Sequence, residues 1–372
     1  MIEIKEINTK KEMKQFVKFP FSLYKNNKYW VPPIINDELN SFDKDKNPVF
    51  EHANARFFIA LKNDEIVGRV AAIINTYEVE KQNIKKMRFG WFDVIDDINV
   101  TKSLIEKVKE IGYQNNLEYV EGPVGFNNLD KTGVLVEGFD HIGTMITWYN
   151  HPYYSKHLEQ LGFKKEKEYL ENKFRFSSEA ASKYEKASNI IQKRYNLKAL
   201  NFTSTKDIMP YVDEMFDLFS KTYSKLSTYV PISNAQIKHF KEKYISFINP
   251  EYIKFVLDEN NKLVAFAIVM PSFSKALQKA NGKLFPFGIF HLLNARRNSK
   301  DVIFYLIGVH PDYQNKGVTA IIFKHYSEIF TKKNIENCIR TPELEDNTAI
   351  QKIWKVFNPS VHKRRRTYKL NL

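Results

Sequence analysis

The chain has 372 residues, of which 43% are hydrophobic and 27% charged, and carries a formal net charge of +14. This length calls for two ordinary domains, and the composition is that of a globular chain with no apolar run long enough to cross a bilayer. Cys338 is the single cysteine, which excludes an intrachain disulfide and a cysteine-built metal centre.

The nine histidines show no metal-ligand spacing, so no metal is expected. Residues 1–6 alternate like a strand and do not form a secretory leader, so a cytoplasmic location is expected. The lysines are scattered and mixed with glutamates, which reads as a solvated surface. The densest basic run is His362, Lys363, Arg364, Arg365 and Arg366. Such a run can meet nucleic acid, acidic lipid or a phosphorylated cofactor.

In chain order, a first strand over 1–7 precedes a short helix that Thr9 can cap, with Met13, Phe16 and Val17 on its apolar face. Residues 41–54 are polar and irregular. Two apolar runs over 56–75 flank Asn63 and Asp64 and predict a hairpin. A strand over 89–95 leads to a helix over 99–115, capped by Asp97 or Asn99. A strand follows at 117–124, then a long loop over 126–142. The turn Tyr149, Asn150, His151, Pro152, Tyr153, Tyr154 sets aromatic and polar groups at a helix start, suited to a small polar ligand or simply to packing. Pro152 opens that helix, Gly162 ends it, and a strand over 163–176 closes the first half.

A polar helix connects at 177–194. A new strand over 197–202 and amphipathic helices over 208–226 and 237–247 then precede a second hairpin over 251–271. Residues 58–68 lie over 255–265 without gaps, in the same apolar–polar–apolar pattern. The order of elements also repeats, which points to a duplication. Residues 272–300 are an insertion rich in Phe, Gly and Pro. It suits either a cover over an apolar pocket or a packing helix between domains.

The most informative stretch is 302–323. A continuous β-branched and aromatic run ends at Pro311 and Asp312, and helical spacing begins with Val318, Ile321, Ile322 and Tyr326. Gln314, Asn315, Lys316, Gly317, Val318 and Thr319 therefore stand at a helix N-terminus fed by a strand. There, unpaired amides and the helix dipole favour an anion, and Gly317 permits close approach to the backbone. An ordinary strand–helix junction has the same outline.

At these residues the chain resembles the GNAT superfamily, the Gcn5-related N-acetyltransferases. Their signature, Gln/Arg-x-x-Gly-x-Gly/Ala, is matched from Gln314 to Thr319 after Val309, His310 and Pro311, with Thr319 departing from the usual small residue. The resemblance covers the second half and extends to the first by architecture. It implies an α/β (α+β) fold of two tandem GNAT-like domains, each a mixed, mostly antiparallel sheet flanked by helices. The domains would be a degenerate copy over 1–176, a connecting helix over 177–196 and an acyltransferase domain over 197–372.

It also implies an N-acyltransferase that uses acetyl-CoA or another acyl-CoA. The turn amides would hold the pyrophosphate, and the free backbone of Ile307, Gly308 and Val309 would meet the pantetheine together with Asn347. The acceptor would be a small-molecule or peptide amine. Glu343 and Glu345, at the end of the strand beside the cofactor, are the candidates for the catalytic carboxylate, though either can equally be a surface or capping residue. The family's usual acidic Tyr would fall at Trp354, which leaves Tyr305 and Tyr326 as substitutes. In the first half, residues 93–99, with the acidic side chains Asp93, Asp96 and Asp97, stand at the corresponding turn and would repel a pyrophosphate, so that half is expected not to bind coenzyme A. A Fem-like transferase that uses charged tRNA, or a non-catalytic acyl-CoA or lipid binder, remains as an alternative.

Overall fold

The computed structural model describes every residue except 128, 225, 227–228 and 243–247. In the first part of the chain the elements are β1 (Glu3–Glu6), α1 (Lys10–Leu23), α2 (Ile35–Ser41), β2 (Ala53–Lys62), β3 (Glu65–Asn75), α3 (Thr76–Lys81), β4 (Lys86–Val94) and α4 (Ile98–Gln114). Then come β5 (Tyr119–Gly122), β6 (Val134–Glu137), α5 (Tyr153–Gln160), β7 (Lys164–Phe174) and α6 (Ser178–Tyr195). The second part has β8 (Lys198–Asn201), α7 (Thr205–Ile208), α8 (Val212–Tyr223), α9 (Asn234–Phe240), β9 (Ile253–Leu257), β10 (Leu263–Pro271), α10 (Ser274–Ala280) and α11 (Gly288–Asn298). It ends with β11 (Asp301–Val309), α12 (Thr319–Lys333), β12 (Asn337–Arg340), β13 (Glu343–Leu344), α13 (Thr348–Trp354) and β14 (Ser360–Asn371). Among the described residues, no helix is long and apolar enough to cross a membrane.

The loop expected over 126–142 contains a short strand, β6. The helix expected over 237–247 is seen as α9, and 243–247 lie outside the described residues.

Two compact units follow contacts rather than chain order. The first comprises Met1–Leu170, Ser274–His291 and His362–Leu372, and the second comprises Glu171–Phe273 and Leu292–Val361. The last residues of the chain therefore complete the sheet of the first unit, not of the second half in which they stand in sequence.

In the first unit the sheet runs β1-β2-β3-β4-β5-β14, with β6 also pairing with β14. β3 and β4 are antiparallel, and β4 and β5 are parallel. The core beneath is built from α4, whose Val100, Leu104, Ile105, Val108 and Ile111 recur at helical spacing and are buried against Phe58, Val70 and Phe89. The basic run near the C-terminus lies within this unit. Lys363 and Arg365 are 1% exposed, and their side chains donate to the carbonyls of Ile142 and Trp148. Arg364 and Arg366 pair with Glu168.

In the second unit the sheet runs from the end of β7 through β12, β11, β10 and β9 to β8. β10 and β11 are antiparallel, and β11 and β12 are parallel. The middle strands are apolar on both faces because α12 covers one of them with Ile321, Ile322, Phe323 and Tyr326. Both units thus repeat one device, a strand paired antiparallel on one side and parallel on the other, followed by a helix. This is the duplication that the order of the elements predicts.

Candidate functional site

The candidate site lies in the second unit, where β11 changes partners. β11 pairs with β12 only from Asp301↔Asn337 to Phe304↔Arg340. Thr341 N–H still donates to Phe304 O (3.3 Å), and its hydroxyl to Tyr305 O (3.4 Å). Among the described residues, no pairing with β12 continues beyond that point. On the other side the register against β10 shifts, with Ile268 opposite Leu306 and Val269 opposite Phe304, so Tyr305 is an extra residue in β11. Such a bulge bends and twists a strand, which turns the end of β11 away from β12.

The direction of the free backbone follows from the next bond. His310 N–H donates to Val264 O at 2.8 Å, one step beyond the Val309↔Ala265 pair. Val309 is therefore in a non-hydrogen-bonded pair, and its own N–H and C=O point away from β10. Ile307, opposite Ala267, is oriented the same way. Two side chains confirm this. Gln314 Nε2 donates to Val309 O (3.1 Å), and the Tyr223 hydroxyl to Ile307 O (3.1 Å). The amides of Ile307 and Val309 thus face the side from which β12 departs, while Gly308, opposite Phe266, faces β10.

The turn that follows ends at α12. Val318 supplies no side-chain cap, and no acidic residue stands in the first turn of the helix. Ala320 N–H donates to Gly317 O (2.9 Å) and Ile321 N–H to Val318 O (3.1 Å), so it is the amides just before them, from Gly317 to Thr319, that stand at the open end of this fifteen-residue helix. Gln314, Asn315, Lys316 and Gly317 are exposed, Thr319 is half-buried, and Val318 is 2% exposed and anchors the turn in the core. Lys316 Nζ sits 5.2 Å from the Tyr313 ring and 5.4 Å from the Tyr195 ring, so its charge is held beside the turn. Asn315 and Gly317 have φ of 61° and 74°. A Cβ on Gly317 would also come within 2.7 Å of Ile191 Cδ1 on α6, so packing alone gives this glycine a reason to be there.

The other residues singled out in the sequence separate by role. Asn347 caps α13 by accepting from Ile350 N–H (3.3 Å). Trp354 is fully buried among Phe174, Phe304 and Phe323. Its indole N–H donates to Glu343 Oε1 (3.1 Å), which also accepts from Arg340 Nε (3.0 Å). Arg340 Nη2 closes the ion pair on Glu343 Oε2. Glu343 is therefore held by two partners, whereas Glu345 is exposed. The Tyr326 hydroxyl is buried and donates to Tyr252 O (2.8 Å) and Ala267 O (3.1 Å), which leaves it no part at the site.

Tyr223, at the end of α8, was not singled out by sequence because no local pattern marks it. It stacks on Phe219 (4.3 Å between centroids), and burial pushes its phenol up to about 12. These roles predict opposite outcomes for the two glutamates. Glu343→Gln is expected to destabilise the protein by about 3 kcal/mol, because it strips the partner from an arginine 2% exposed. Glu345→Gln, at an exposed side chain, should cost no more than about 1 kcal/mol. Melting curves of the two variants test this, and equal midpoints would contradict it.

The first unit shows the same strand device in another state. β4 carries an extra residue at the corresponding place, with Trp91 at φ 45°. Ile95 N–H donates to Val67 O (3.0 Å), so Val94, opposite Gly68, turns its amide away from β3. Here that backbone is occupied by the chain itself. Val94 N–H donates to the Tyr154 hydroxyl (2.9 Å), and the Tyr153 hydroxyl donates to Val94 O (2.7 Å). The N-terminus of α4 is likewise taken, because the Asp97 carboxylate accepts from Asn99 N–H (3.0 Å). The turn between Tyr149 and Tyr154 therefore packs this unit with its aromatic hydroxyls.

No family model matches the sequence. The chain is 25% identical over 366 residues to protein YghO of Escherichia coli K12, covering 96% of this chain and 93% of the relative. It is 21% identical over 293 residues to the bacterial ceramide synthase of Caulobacter vibrioides, covering 77% and 74%. Among solved structures it is similar to a tandem GNAT protein from the clavulanic acid biosynthesis pathway (TM-score 0.58, 9% identity), covering all of this chain and 98% of that one. It is also similar to a GCN5-related N-acetyltransferase from Sphaerobacter thermophilus (TM-score 0.52, 7% identity), covering 100% and 95%. With mixed sheets flanked by helices and a bulged strand leading into an uncapped helix, the chain has a GNAT-like α/β fold.

Proposed function

We propose that the protein is an acyl-CoA-dependent N-acyltransferase that takes its acyl donor, acetyl-CoA or a longer acyl-CoA, on the second unit. The observation that carries this reading is the conjunction in β11 and α12: the outward amides of Ile307 and Val309 continue into an uncapped helix N-terminus. A diphosphate fits the turn amides beside Lys316. An extended amide-bearing arm fits the strand, as an added strand would.

An acyl-CoA supplies a thioester carbon open to attack by an amine. The chain's part is to orient the thioester and move protons. The amides of Ile307 and Val309 would hold a carbonyl oxygen. The Tyr223 hydroxyl, protonated at neutral pH, gives its proton to the departing sulfur. The exposed Glu345 carboxylate takes a proton from the amine, and Glu343 positions the strand end through Arg340 and Trp354.

The acceptor is an amine. The Caulobacter relative carries the name of a ceramide synthase, and a ceramide is a long-chain amide, so hydrophobic amines belong in the acceptor set. A tRNA-using transferase draws no support from the basic run near the C-terminus, because Lys363 and Arg365 are buried.

Thiol release from a series of acyl-CoAs with short and long amines tests the reading. Amine-dependent release is expected for at least one pair, and its absence across a folded, CoA-binding protein would refute catalysis. The first unit is proposed to be a degenerate copy that binds no coenzyme A, because Tyr153, Tyr154 and Asp97 occupy the places a cofactor would need. Calorimetry on the full chain is therefore expected to find one acyl-CoA per chain, and two sites would refute that assignment.

A further inference from the structure

The insertion expected to cover a pocket or pack between domains holds three of the most exposed large apolar side chains among the described residues. Phe285, Phe287 and Phe290 are 75%, 71% and 65% exposed. Leu293, three residues on, is 40% exposed, whereas Tyr113 and Ile190 stand far from these in sequence. Three such rings within six residues form a patch that calls for an occupant.

The rings are presented by a built turn. Gly282 O accepts from Ile35 N–H (2.9 Å), Ile289 N–H donates to Leu284 O (2.7 Å) and Phe290 N–H to Phe287 O (3.1 Å). Gln278 Nε2 ties the preceding helix to the carbonyls of Lys28 and Trp30 (2.9 Å each). A Cβ on Gly288 would lie 2.0 Å from Lys283 O, so the turn closes there only with glycine. The phenylalanines thus project from an ordered turn between α10 and α11.

Within the insertion the charge is of one sign, while α2, whose Ile35 N–H bonds Gly282 O, carries Asp37 and Glu38 in its first turn. Lys275 and Lys279, four residues apart on α10, and Lys283 in the turn are all exposed. From Ser272 to Lys300 the chain has Lys275, Lys279, Lys283, Arg296, Arg297 and Lys300 and no Asp or Glu.

We propose that this turn docks the protein on an anionic lipid surface, with Phe285, Phe287 and Phe290 entering the headgroup boundary and Lys275, Lys279 and Lys283 meeting lipid phosphates. Apolar side chains beside a basic face are the composition of an interfacial anchor. A symmetric contact with a second copy would set the same lysines against each other. The proposal rests on exposure and charge alone and stands independently of the acyltransferase reading. Joined to that reading, it would bring the chain to amines or acyl chains that reside in a membrane.

Flotation of the full chain with phosphatidylcholine vesicles, with and without phosphatidylglycerol, tests it. Binding is expected only with the anionic lipid and should fall as salt rises. Replacing the three phenylalanines by serine should weaken partitioning by roughly 100-fold. Replacing the three lysines by glutamine should cost about fivefold per lysine and remove most of the salt dependence. Both variants replace exposed side chains, and circular dichroism checks that they fold. Equal binding to neutral and anionic vesicles, or unchanged binding of the serine variant, would overturn the proposal. So would a dimer in light scattering that the serine variant dissolves, because the patch would then belong to a second copy.

Discussion

In Thr319→Asp, acyl-CoA affinity is expected to fall by about a thousandfold while the thermal midpoint stays the same or rises. The two effects separate because they act on different charges. Thr319 is the first residue of α12, where no acidic side chain stands. A carboxylate there complements the helix dipole and adds roughly 0.3–1 kcal/mol of stability. The same carboxylate opposes a diphosphate on the turn. At an effective dielectric of 20, two like charges about 4 Å apart repel by about 4 kcal/mol, which is roughly a thousandfold in affinity. Gly317→Asp is a poorer test, because φ is 74° there and the new Cβ would lie 2.7 Å from Ile191 Cδ1. Thr319→Ala should bind like the parent. Calorimetry beside a melting curve reads both quantities. Undiminished affinity in folded Thr319→Asp would remove the turn from the site.

Tyr223→Phe should lower kcat by about 100-fold or more, the range for losing a positioned proton donor. Affinity for acyl-CoA should be nearly unchanged. Stability should fall by about 1 kcal/mol, since one hydrogen bond, to Ile307 O, is lost. A merely structural tyrosine would show the stability loss without the change in kcat. The pH profile adds a second readout. Burial pushes the phenol up to about 12, so the hydroxyl keeps its proton through the neutral range. No alkaline fall in rate should therefore be traceable to Tyr223 below about pH 10. A Phe variant with the parent's kcat would leave the departing sulfur without a donor from this chain.

The contrast between the two strand bulges bears on how a duplicated fold diverges. Both β4 and β11 carry an extra residue and turn a backbone amide outward. In the first unit the hydroxyls of Tyr153 and Tyr154 satisfy Val94, and Asp97 caps the following helix. In the second unit α12 has no such cap. Buried backbone groups must be paired, so on the proposed reading a copy that receives no ligand has to supply the partners itself. A network of Tyr24, Asp93, Arg69 and Tyr154 continues this internal pairing, with Tyr24 Oη donating to Asp93 Oδ1 (2.7 Å) and Arg69 Nε to Asp93 Oδ2 (2.8 Å). Asp93 and Arg69 are 6% and 4% exposed, so each needs the other.

The sequence by itself determined whatever depends on neighbours along the chain. Apolar runs and their periods mark β11, α12, α4 and the hairpins, and Pro311, Asp312 and Gly317 mark the turn, because strand, helix and turn preferences act over a few residues. The repeated order of elements made the duplication legible for the same reason. Only the tertiary structure decided which groups from distant segments meet. Residues 362–372 complete the first unit, although they end the second half, because pairing with β5 depends on edge complementarity and not on proximity in sequence. The basic run there is buried for that reason. Tyr223 reaches Ile307 across 84 residues, and Glu343 is claimed by Arg340 and Trp354 only once β12 and α13 are packed. A hydrogen bond requires its atoms within about 3 Å, a condition that no spacing rule along the chain encodes for residues brought together by the folding of a sheet.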